Sequence, residues 1–339
     1  MIRSATKQDK NKILDLFEKV FHNRMSDEEY EWKYYENPNP RNPLVLVYEE
    51  DDQILGHVAL WVNDAFINGE IHNVGLRVDT MVDPDARGKG IYRKLLDELL
   101  EVAEDKDIAI LYGYPAEKAK ELFIRYTGAV HLTDVPRLLL LQKPVELLSR
   151  NKPFLKAFTF IDKLFQAVQM KKTDYQPSSI EEIKKCDARF DQLQLDNKDQ
   201  YPVKLKRGMN YLNWRYLNHP FRDYKILAHV EDNQLKGYIV YRVIEQSNQG
   251  MIIDMDVHDW QDREVVQNLI AAAVDRMKGT AAIQAWALEP SALYQSLKNH
   301  KFLHKDNPMP MVVRDIKELA IDSSTTHSWY VTNGDVDSF

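Results

Sequence analysis

An internal repeat limits the folds open to this chain more than any other feature of its sequence. Residues 32–38, WKYYENP, are echoed by residues 214–220, WRYLNHP. Each copy is followed by an apolar segment, an acidic turn and a second apolar segment, which begins at Gln53 in the first half and at Gln234 in the second. Because a repeat of this length corresponds to a repeated structural unit, we predict two similar units in tandem.

The pattern of each half predicts an α/β fold. Residues 107–115 resemble residues 281–290, since both are apolar, end in proline and precede a helical pattern. The last apolar segments, Val135–Leu141 and Met309–Val313, also correspond. Each half therefore reads helix, hairpin, strand, helix, strand, helix, strand. This order predicts an α/β (α+β) unit with a central mixed sheet. The predicted divisions are a first unit at 1–143, a helical linker at 144–173, a second unit at 174–320 and a C-terminal tail at 321–339.

The predicted linker carries an apolar stripe at helical spacing. Its members are Phe154, Phe158, Ile161, Leu164, Phe165 and Val168. Such a stripe could bind a membrane surface, but we favour a linker helix that packs across both units. The segment 177–179, PSS, then predicts the cap of the first helix of the second unit, and residues 181–186 have a charged helical pattern.

Charge and cysteine content exclude several classes of protein. Lys plus Arg number 45 against 52 Asp plus Glu, so the net charge of −7 disfavours nucleic acid as a partner. The densest basic cluster, Lys204, Lys206 and Arg207, is interpreted as a solvated face. The single cysteine, Cys186, forms no intrachain disulfide and is interpreted as a spectator thiol. Without a signal-like or membrane-spanning segment or clustered metal ligands, we expect a cytoplasmic protein that binds neither membrane nor metal.

The segment at residues 78–100 carries the strongest functional signal. A strand, VDTMV, runs into the turn DPDARGKG, and the turn opens a helix with the apolar stripe Ile91, Leu95, Leu99 and Leu100. Unpaired N–H groups at a helix start carry partial positive charge and can cradle a pyrophosphate. Gly88 and Gly90 allow close approach of a ligand, while Arg87 and Lys89 add positive charge.

Residues 87–92, RGKGIY, resemble the acyl-CoA loop of the GNAT acetyltransferases, which reads Gln or Arg, two variable residues, Gly, one variable residue, then Gly or Ala. Arg87 and Gly90 match, and Tyr92 stands in place of the final small residue. The equivalent turn of the second half, 257–265, contains no glycine and has extra acidic residues, so it is not expected to bind a pyrophosphate. The resemblance covers both halves, residues 1–143 and 174–318, and the arrangement is similar to tandem GNAT proteins such as mycothiol synthase and the Fem ligases. In those proteins one unit binds the acyl donor and the other helps to shape the acceptor site.

The resemblance implies direct attack of an acceptor amine on the thioester of acetyl-CoA, without a metal. It also implies that the segments at 79–82 and 108–114 splay apart around the pantetheine arm, with the main chain of Met81 and Val82 pairing as an added strand would. The donor-binding residues that it implies are Met81, Val82, Arg87, Gly88, Lys89, Gly90, Ile91, Tyr92 and Phe123.

The sequence offers more than one candidate for the acid and the base of the reaction. The usual tyrosine acid of the family follows the pattern Asn-x-x-Ala-x-x-Leu-Tyr, and the matching residues here are Ala116, Ala119, Leu122 and Phe123. Because that tyrosine is missing, Tyr126 is the candidate acid, against a tyrosine that only packs. Asp79 is the leading base, against a structural role as partner of Arg77 or a strand-end cap. His57 and His72 are further candidates.

The expected function is therefore an N-acetyltransferase acting on a small-molecule amine, such as an amino sugar or an amino-acid-like compound. A non-catalytic acyl-CoA-binding or regulatory protein and a Fem-like aminoacyl ligase are the alternatives. The tail residues Trp329, Tyr330, Asp335 and Asp337 suit a cationic or sugar-like acceptor, although termini are commonly frayed. The tryptophans of the two repeats are interpreted as core residues rather than as binding platforms.

Overall fold

The computed structural model describes residues 1–149, 152–164 and 175–338. The elements of the first half are, in chain order, β1 (Ile2–Ser4), α1 (Lys10–Phe21), α2 (Asp27–Tyr35), β2 (Leu44–Glu50), β3 (Gln53–Ile67), β4 (Glu70–Val82), α3 (Ile91–Asp105), β5 (Ile108–Gly113), α4 (Glu117–Thr127) and β6 (Val130–Leu141). After α5 (Pro144–Ser149), the second half contains β7 (Ile180–Ile183), α6 (Ala188–Asp196), β8 (Val203–Leu205), α7 (Met209–Leu212), β9 (Lys225–Glu231), β10 (Gln234–Ile244), β11 (Gln249–Val257), α8 (Arg263–Arg276), β12 (Ala282–Trp286), α9 (Ala292–Asn299) and β13 (Leu303–Asp315).

These strands form one mixed sheet. From edge to edge the order is β1-β2-β3-β4-β5-β13-β6-β12-β11-β10-β9-β7, with β8 beside β3. The pairs β4–β5 and β11–β12 are parallel, and the other neighbours are antiparallel. The mixed α/β fold with two similar units is thus confirmed, while the domain boundaries stay predictions.

The last strand of each half pairs with the sheet of the other half. β13 lies beside β5, with Val312 opposite Gly113, and β6 lies beside β12, with Leu138 opposite Ala285. At the centre of the sheet β6 and β13 pair with each other. The two halves are therefore joined through backbone hydrogen bonds and not only through side-chain packing.

The two repeated tryptophans stack against each other in the core that both halves share. The rings of Trp32 and Trp214 stack with centroids 5.3 Å apart. The indole N–H of Trp32 donates to the backbone oxygen of Trp214 at 2.9 Å, and the reciprocal bond measures 3.0 Å. Both side chains are buried. Their interpretation as core residues is confirmed, and the reciprocal pair marks an approximate twofold relation between the repeats.

The start of the second half differs from the prediction. Pro177–Ser179 is a 3-10 turn that leads into the edge strand β7 and not into a helix. The cap of α6 is instead Asp187, whose carboxylate accepts from the N–H of Arg189 at 3.0 Å. An edge strand leaves charged residues accessible, so a short charged segment does not distinguish strand from helix. Cys186 follows β7 and is buried, which raises its pKa to about 12 and fits a spectator thiol.

The basic cluster on and after β8 is not a solvated face. Lys204 and Arg207 are fully buried, and only Lys206 is partly accessible. The ammonium of Lys204 lies 2.7 Å from Asp256, and the guanidinium of Arg207 lies 2.9 Å from Asp254. The prediction was wrong because these carboxylates come from β11, about fifty residues along the chain, and no local pattern reveals them.

The linker stripe does not pack across the two units in the part of the linker that the structure describes. Its four described members, Phe154, Phe158, Ile161 and Leu164, are between 42 % and 70 % exposed, and Phe165 and Val168 lie outside the described residues. Asp162 is the buried residue of this segment, because its carboxylate accepts from the first N–H groups of α5 at 2.8 Å. Among the described helices none is both long and apolar enough to cross a membrane.

Candidate functional site

The strands β4 and β5 pair over only part of their length. Their ladder runs from Asn73 opposite Ile108 to Leu76 opposite Tyr112. Beyond that point β4 continues to Val82 beside β3, and no other described strand pairs with this edge. We call this opening, bordered by residues 77–82 and 113–114, the first fork. It lies on β4 where the resemblance implies, but on β5 it begins only after residue 112.

The turn that follows β4 exposes its backbone. Gly88 and Gly90 have φ angles of 86° and 75°, a left-handed conformation that favours glycine, and a Cβ at either position would meet nothing within 4 Å. Gly90 is the N-cap of α3 and offers no side chain to its first turn. Among the described residues, the N–H groups of Gly88, Gly90, Ile91 and Tyr92 have no hydrogen-bond acceptor.

This turn fits a diphosphate. The free N–H groups lie at the positive end of the 15-residue helix α3, where anions are stabilised. The side chains of Arg87 and Lys89 are exposed beside them. The nearby carboxylate of Asp83 is paired with Lys19 at 2.7 Å, so its charge is compensated. A doubly charged ligand therefore meets donors and cations here.

The other residues implied for donor binding fall into two groups. Met81 and Val82 lie opposite His57 and Gly56 of β3, so this stretch of β4 is paired on one edge and faces the first fork with the other. The side chains of Ile91 and Phe123 are buried in the core under α3, whereas Tyr92 is half-buried and reaches into the first fork.

Arg77 lies at the closed end of the first fork and was not among the predicted site residues. Its guanidinium donates to the hydroxyl of Tyr92 at 3.0 Å and lies 4.1 Å from the ring centroid of Phe123. The structure thus brings together three side chains from β4, α3 and α4. The available signal in the sequence was a single charge inside the otherwise apolar segment VGLRV at 74–78.

Asp79 lies on the other face of the sheet, at a bulge of β4 where its φ is 44°. Its carboxylate lies 2.7 Å from the ammonium of Lys33 and accepts from the hydroxyl of Tyr34 at 2.5 Å. Its partner is therefore Lys33 and not Arg77. Burial by itself would raise the pKa of Asp79, but the charge and hydrogen bond of Lys33 outweigh it, so the pKa is lowered.

The second half repeats part of this arrangement. By the alignment of the repeats, Tyr216 corresponds to Tyr34, and Asp254 corresponds to Asp79. The hydroxyl of Tyr216 donates to Asp254 at 2.9 Å. Because the tyrosine–aspartate pair also occurs in the half without a glycine turn, it belongs to the architecture that both repeats share.

Of the remaining proton-transfer candidates, Tyr126, His72 and His57, only His57 lies next to Asp79. The ring of Tyr126 lies 6.3 Å from that of Tyr92, on the α3–α4 side of the sheet, and its role as acid stays a prediction. His72 lies seven residues before Asp79, about 20 Å along the strand. His57 is close, with Nδ1 2.7 Å from the backbone oxygen of Asp79, and burial lowers its pKa.

A second fork lies between β11 and β12, and the C-terminal tail fills it. These strands pair only from Gln249–Met251 to Ala282–Gln284. Beyond the ladder, the side-chain oxygen of Asn333 accepts from the backbone N–H of Trp286 at 2.7 Å. The hydroxyl of Tyr330 donates to the backbone oxygen of Met255. The tail thus joins both edges of the second fork.

The tail residues are not an open acceptor group, contrary to the expectation. Trp329, Tyr330 and Asp335 are buried, and Asp335 pairs with Arg207 at 2.8 Å. Asp337 is half-buried and lies 3.1 Å from the ammonium of Lys33. The expectation was wrong because the partners of the tail come from β8, β11 and α2, far away in the sequence.

Comparisons with known proteins agree with this geometry. Residues 1–120 match the family model of the acetyltransferase (GNAT) domain. No curated protein matches the sequence. A probable N-acyltransferase from Enterococcus faecalis is similar in structure with a TM-score of 0.68 at 13% identity, and the match covers 93% of this chain and 72% of that one.

Two further solved structures resemble the whole chain. A tandem GNAT protein from the clavulanic acid biosynthesis pathway has a TM-score of 0.56 at 12% identity, with 94% and 99% of the two chains covered. The N-myristoyltransferase of Saccharomyces cerevisiae with bound myristoyl-CoA has a TM-score of 0.57 at 10% identity, with 92% and 82% covered. At these identities the likeness shows the fold. Residues 1–120 are therefore a GNAT acetyltransferase domain, and the fold of the whole chain is similar to that of the tandem GNAT protein.

Proposed function

We propose that this protein is an acyl-CoA-dependent N-acyltransferase that transfers an acetyl group to a small-molecule amine. The observation that carries the proposal is the first fork, which ends in a glycine turn whose N–H groups are free. Amino sugars and amino-acid-like amines are the acceptor classes that we propose first.

The chain supplies three elements of such a reaction. The N–H groups of 88–92, with Arg87 and Lys89, hold a diphosphate, and the free edge at 79–82 pairs with an extended arm as an added strand would. A CoA thioester supplies an activated acyl carbon and a thiol leaving group. Residues 77 and 83 are six residues apart, about 20 Å in an extended strand, so the arm directs its end toward the closed end of the fork.

The candidates for proton transfer are Asp79 as base and Tyr126 as acid. Asp79 is ionised, as a base must be, but Lys33 and Tyr34 already contact its carboxylate. Tyr126 on α4 is the candidate acid for the case in which a side chain protonates the departing thiolate. Acetyl is the proposed acyl group because the fully buried ring of Phe123 lies against the guanidinium of Arg77, which leaves little depth for a long chain.

Calorimetry with CoA and acetyl-CoA tests donor binding. Gly90→Val places a β-branched side chain at a positive φ and is expected to weaken binding by about 10-fold or more. The matched control is Gly279→Val, because a Cβ there also meets nothing within 4 Å and the backbone is not left-handed. Absence of heat with the unaltered protein at millimolar ligand would refute the proposal.

Thiol release from acetyl-CoA with a panel of amines tests catalysis. A second candidate function, a non-catalytic acyl-CoA-binding protein, is favoured by Phe123, which stands where the family pattern has its tyrosine. Binding without thiol release from any amine supports that candidate. Release from longer acyl-CoAs but not from acetyl-CoA would correct the acyl group alone.

A further inference from the structure

Arg77 is a buried cation without a carboxylate partner. Its side chain belongs to a residue that is only 8% exposed, and its Nε has no hydrogen-bond partner. Within the described residues, no carboxylate lies within 4 Å of its guanidinium, and its one polar contact is the hydroxyl of Tyr92.

This environment is unfavourable unless an anion joins it. A guanidinium stays charged in proteins, and burying an unpaired charge costs several kcal/mol. Three other buried cations, Lys33, Lys204 and Arg207, each contact a carboxylate. Burial lowers the pKa of Arg77, as expected for a cation that lacks an opposite charge.

The position of Arg77 indicates which anion it meets. Arg77 and Gly113 are the first residues beyond the last pair of β4 and β5. A Cβ at Gly113 would lie 3.8 Å from Nε of Arg77, so the guanidinium lies at the closed end of the first fork. This is the end that the reactive terminus of a pantetheine arm reaches when its diphosphate is held at residues 87–92.

We propose that Arg77 stabilises the CoA thiolate as it leaves, in place of the tyrosine acid that this chain lacks. The inference rests on the proposed function. The family pattern has the tyrosine at position 123, and here the guanidinium of Arg77 lies against the ring of Phe123. Tyr92 orients that guanidinium by accepting one of its N–H groups.

The step is balanced without an acid. The amine nitrogen bonds to the acyl carbon, the carbon–sulfur bond breaks, and its electron pair stays on sulfur next to the guanidinium of Arg77. The nitrogen loses its proton to solvent. The thiolate takes up a proton from water after release, because a free thiol has a pKa of about 8.5.

The test measures the pKa of the CoA thiol when it is bound. The ultraviolet absorbance of the thiolate is followed against pH with saturating protein, and the S-methyl analogue of CoA provides the baseline. We expect the bound thiol to titrate at least 1 unit below the free thiol, which is about a 10-fold gain in thiolate. A bound thiol that titrates like the free one would overturn the inference.

Variants assign the effect to the guanidinium. Arg77→Met is expected to abolish the shift of the thiol pKa and to lower kcat by about 100-fold, within the range for removing one charge-stabilising group. Arg77→Lys keeps the charge and should retain part of the shift, which matters if Arg77→Met does not fold. Arg189→Met, a surface change in the second half, is the control.

Failure of this inference is distinguishable from failure of the proposed function. If the unaltered protein neither binds CoA nor releases thiol, both fall. If it binds and reacts but Arg77→Met keeps the same bound-thiol pKa and kcat, only the role of Arg77 is refuted. A loss of CoA affinity without a change in the bound-thiol pKa also refutes it, because Arg77 then only helps to hold the donor.

Discussion

The two forks of the sheet have similar strand geometry, but the first is open and the second contains residues of the C-terminal tail. In both, a parallel pair separates after a short ladder, and a tyrosine–aspartate pair braces the longer strand. The first fork ends in a turn with free N–H groups and is bordered by Arg77. The second ends in a turn without glycine, and Tyr330 and Asn333 of the chain's own tail join its edges.

This difference shows how a duplicated unit divides its tasks. In the second fork, the strand edges beyond the ladder bind residues of the tail. In the first fork, the corresponding edge of β4 is unpaired and is therefore accessible to a ligand. The tail also connects the halves, because Arg215 donates to the backbone oxygen of Val336 at 2.8 Å while Lys33 pairs with Asp337. Lys33 and Arg215 are equivalent positions of the repeat. One fork is therefore left open, as the proposed donor site requires, and the other is joined by the tail.

Loss of the tail anchor has the largest expected effect. Asp335→Ala leaves the buried guanidinium of Arg207 with one carboxylate fewer, and breaking a buried pair in this way costs about 3–5 kcal/mol. The free energy of unfolding from chemical denaturation measures it. Glu318→Ala, an exposed acidic residue, is the control and should be neutral. A loss below about 1 kcal/mol would mean that the tail does not hold the second fork together.

The sequence predicted the parts of this comparison that local patterns determine. The repeat at 32–38 and 214–220 predicted two similar units because the same helix and hairpin residues recur in both. The turn at 87–90 predicted the open backbone because glycine and helix start are adjacent in the chain. In these cases the residues that determine the structure are neighbours in the sequence, so no knowledge of distant contacts was needed.

The parts that depend on distant contacts were not predicted. The exchange of β6 and β13 requires pairing between distant residues, since Leu138 and Ala285 are 147 positions apart and Gly113 and Val312 are 199 apart. Either arrangement has the same local pattern. Arg207 and Asp335 are 128 residues apart, so both were assigned to the surface or to a free tail. Arg77 was missed because its importance lies in the absence of a carboxylate nearby, which is a property of the packed structure.

A comparison of Asp79 with Asp254 tests whether the shared pair is structural. Asp79→Asn and Asp254→Asn each weaken the hydrogen bond from tyrosine and remove the charge that faces a buried cation, Lys33 or Arg207, so each should lower the free energy of unfolding by about 3 kcal/mol. If Asp79 is structural, thiol release changes by less than about 10-fold when it is measured on folded protein.

The opposite result would separate the two forks. A loss of activity above about 100-fold in Asp79→Asn, with stability no lower than that of Asp254→Asn, establishes Asp79 as the base. Its pH–rate profile would then lose the acidic limb. In that case the pair has different roles in the two halves.

A smaller effect concerns a buried titratable residue that differs between the repeats. His219 corresponds to Asn37, and burial lowers its pKa from 6.5 to about 3. The unfolded chain therefore binds a proton that the folded chain does not, and stability falls as the pH drops below 6.5. Between pH 6.5 and 5.5 this group alone costs about 1 kcal/mol. His219→Asn should remove this part of the pH dependence of the free energy of unfolding, measured by denaturation at several pH values. An unchanged pH dependence would contradict the assignment.

The smallest effect is expected for Tyr126→Phe. The ring of Tyr126 packs against Tyr92 and near Arg93, and its hydroxyl has no hydrogen-bond partner among the described residues, so the phenylalanine keeps the packing. Thiol release should change by less than about 3-fold, whereas a true general acid contributes about 100-fold or more. Tyr92→Phe is the matched control, because it removes a tyrosine hydroxyl from the neighbouring helix α3, and this hydroxyl contacts Arg77. If Tyr126→Phe is the more damaging of the two, with CoA affinity unchanged, the acid lies on α4 and Arg77 is not the group that assists the leaving thiolate.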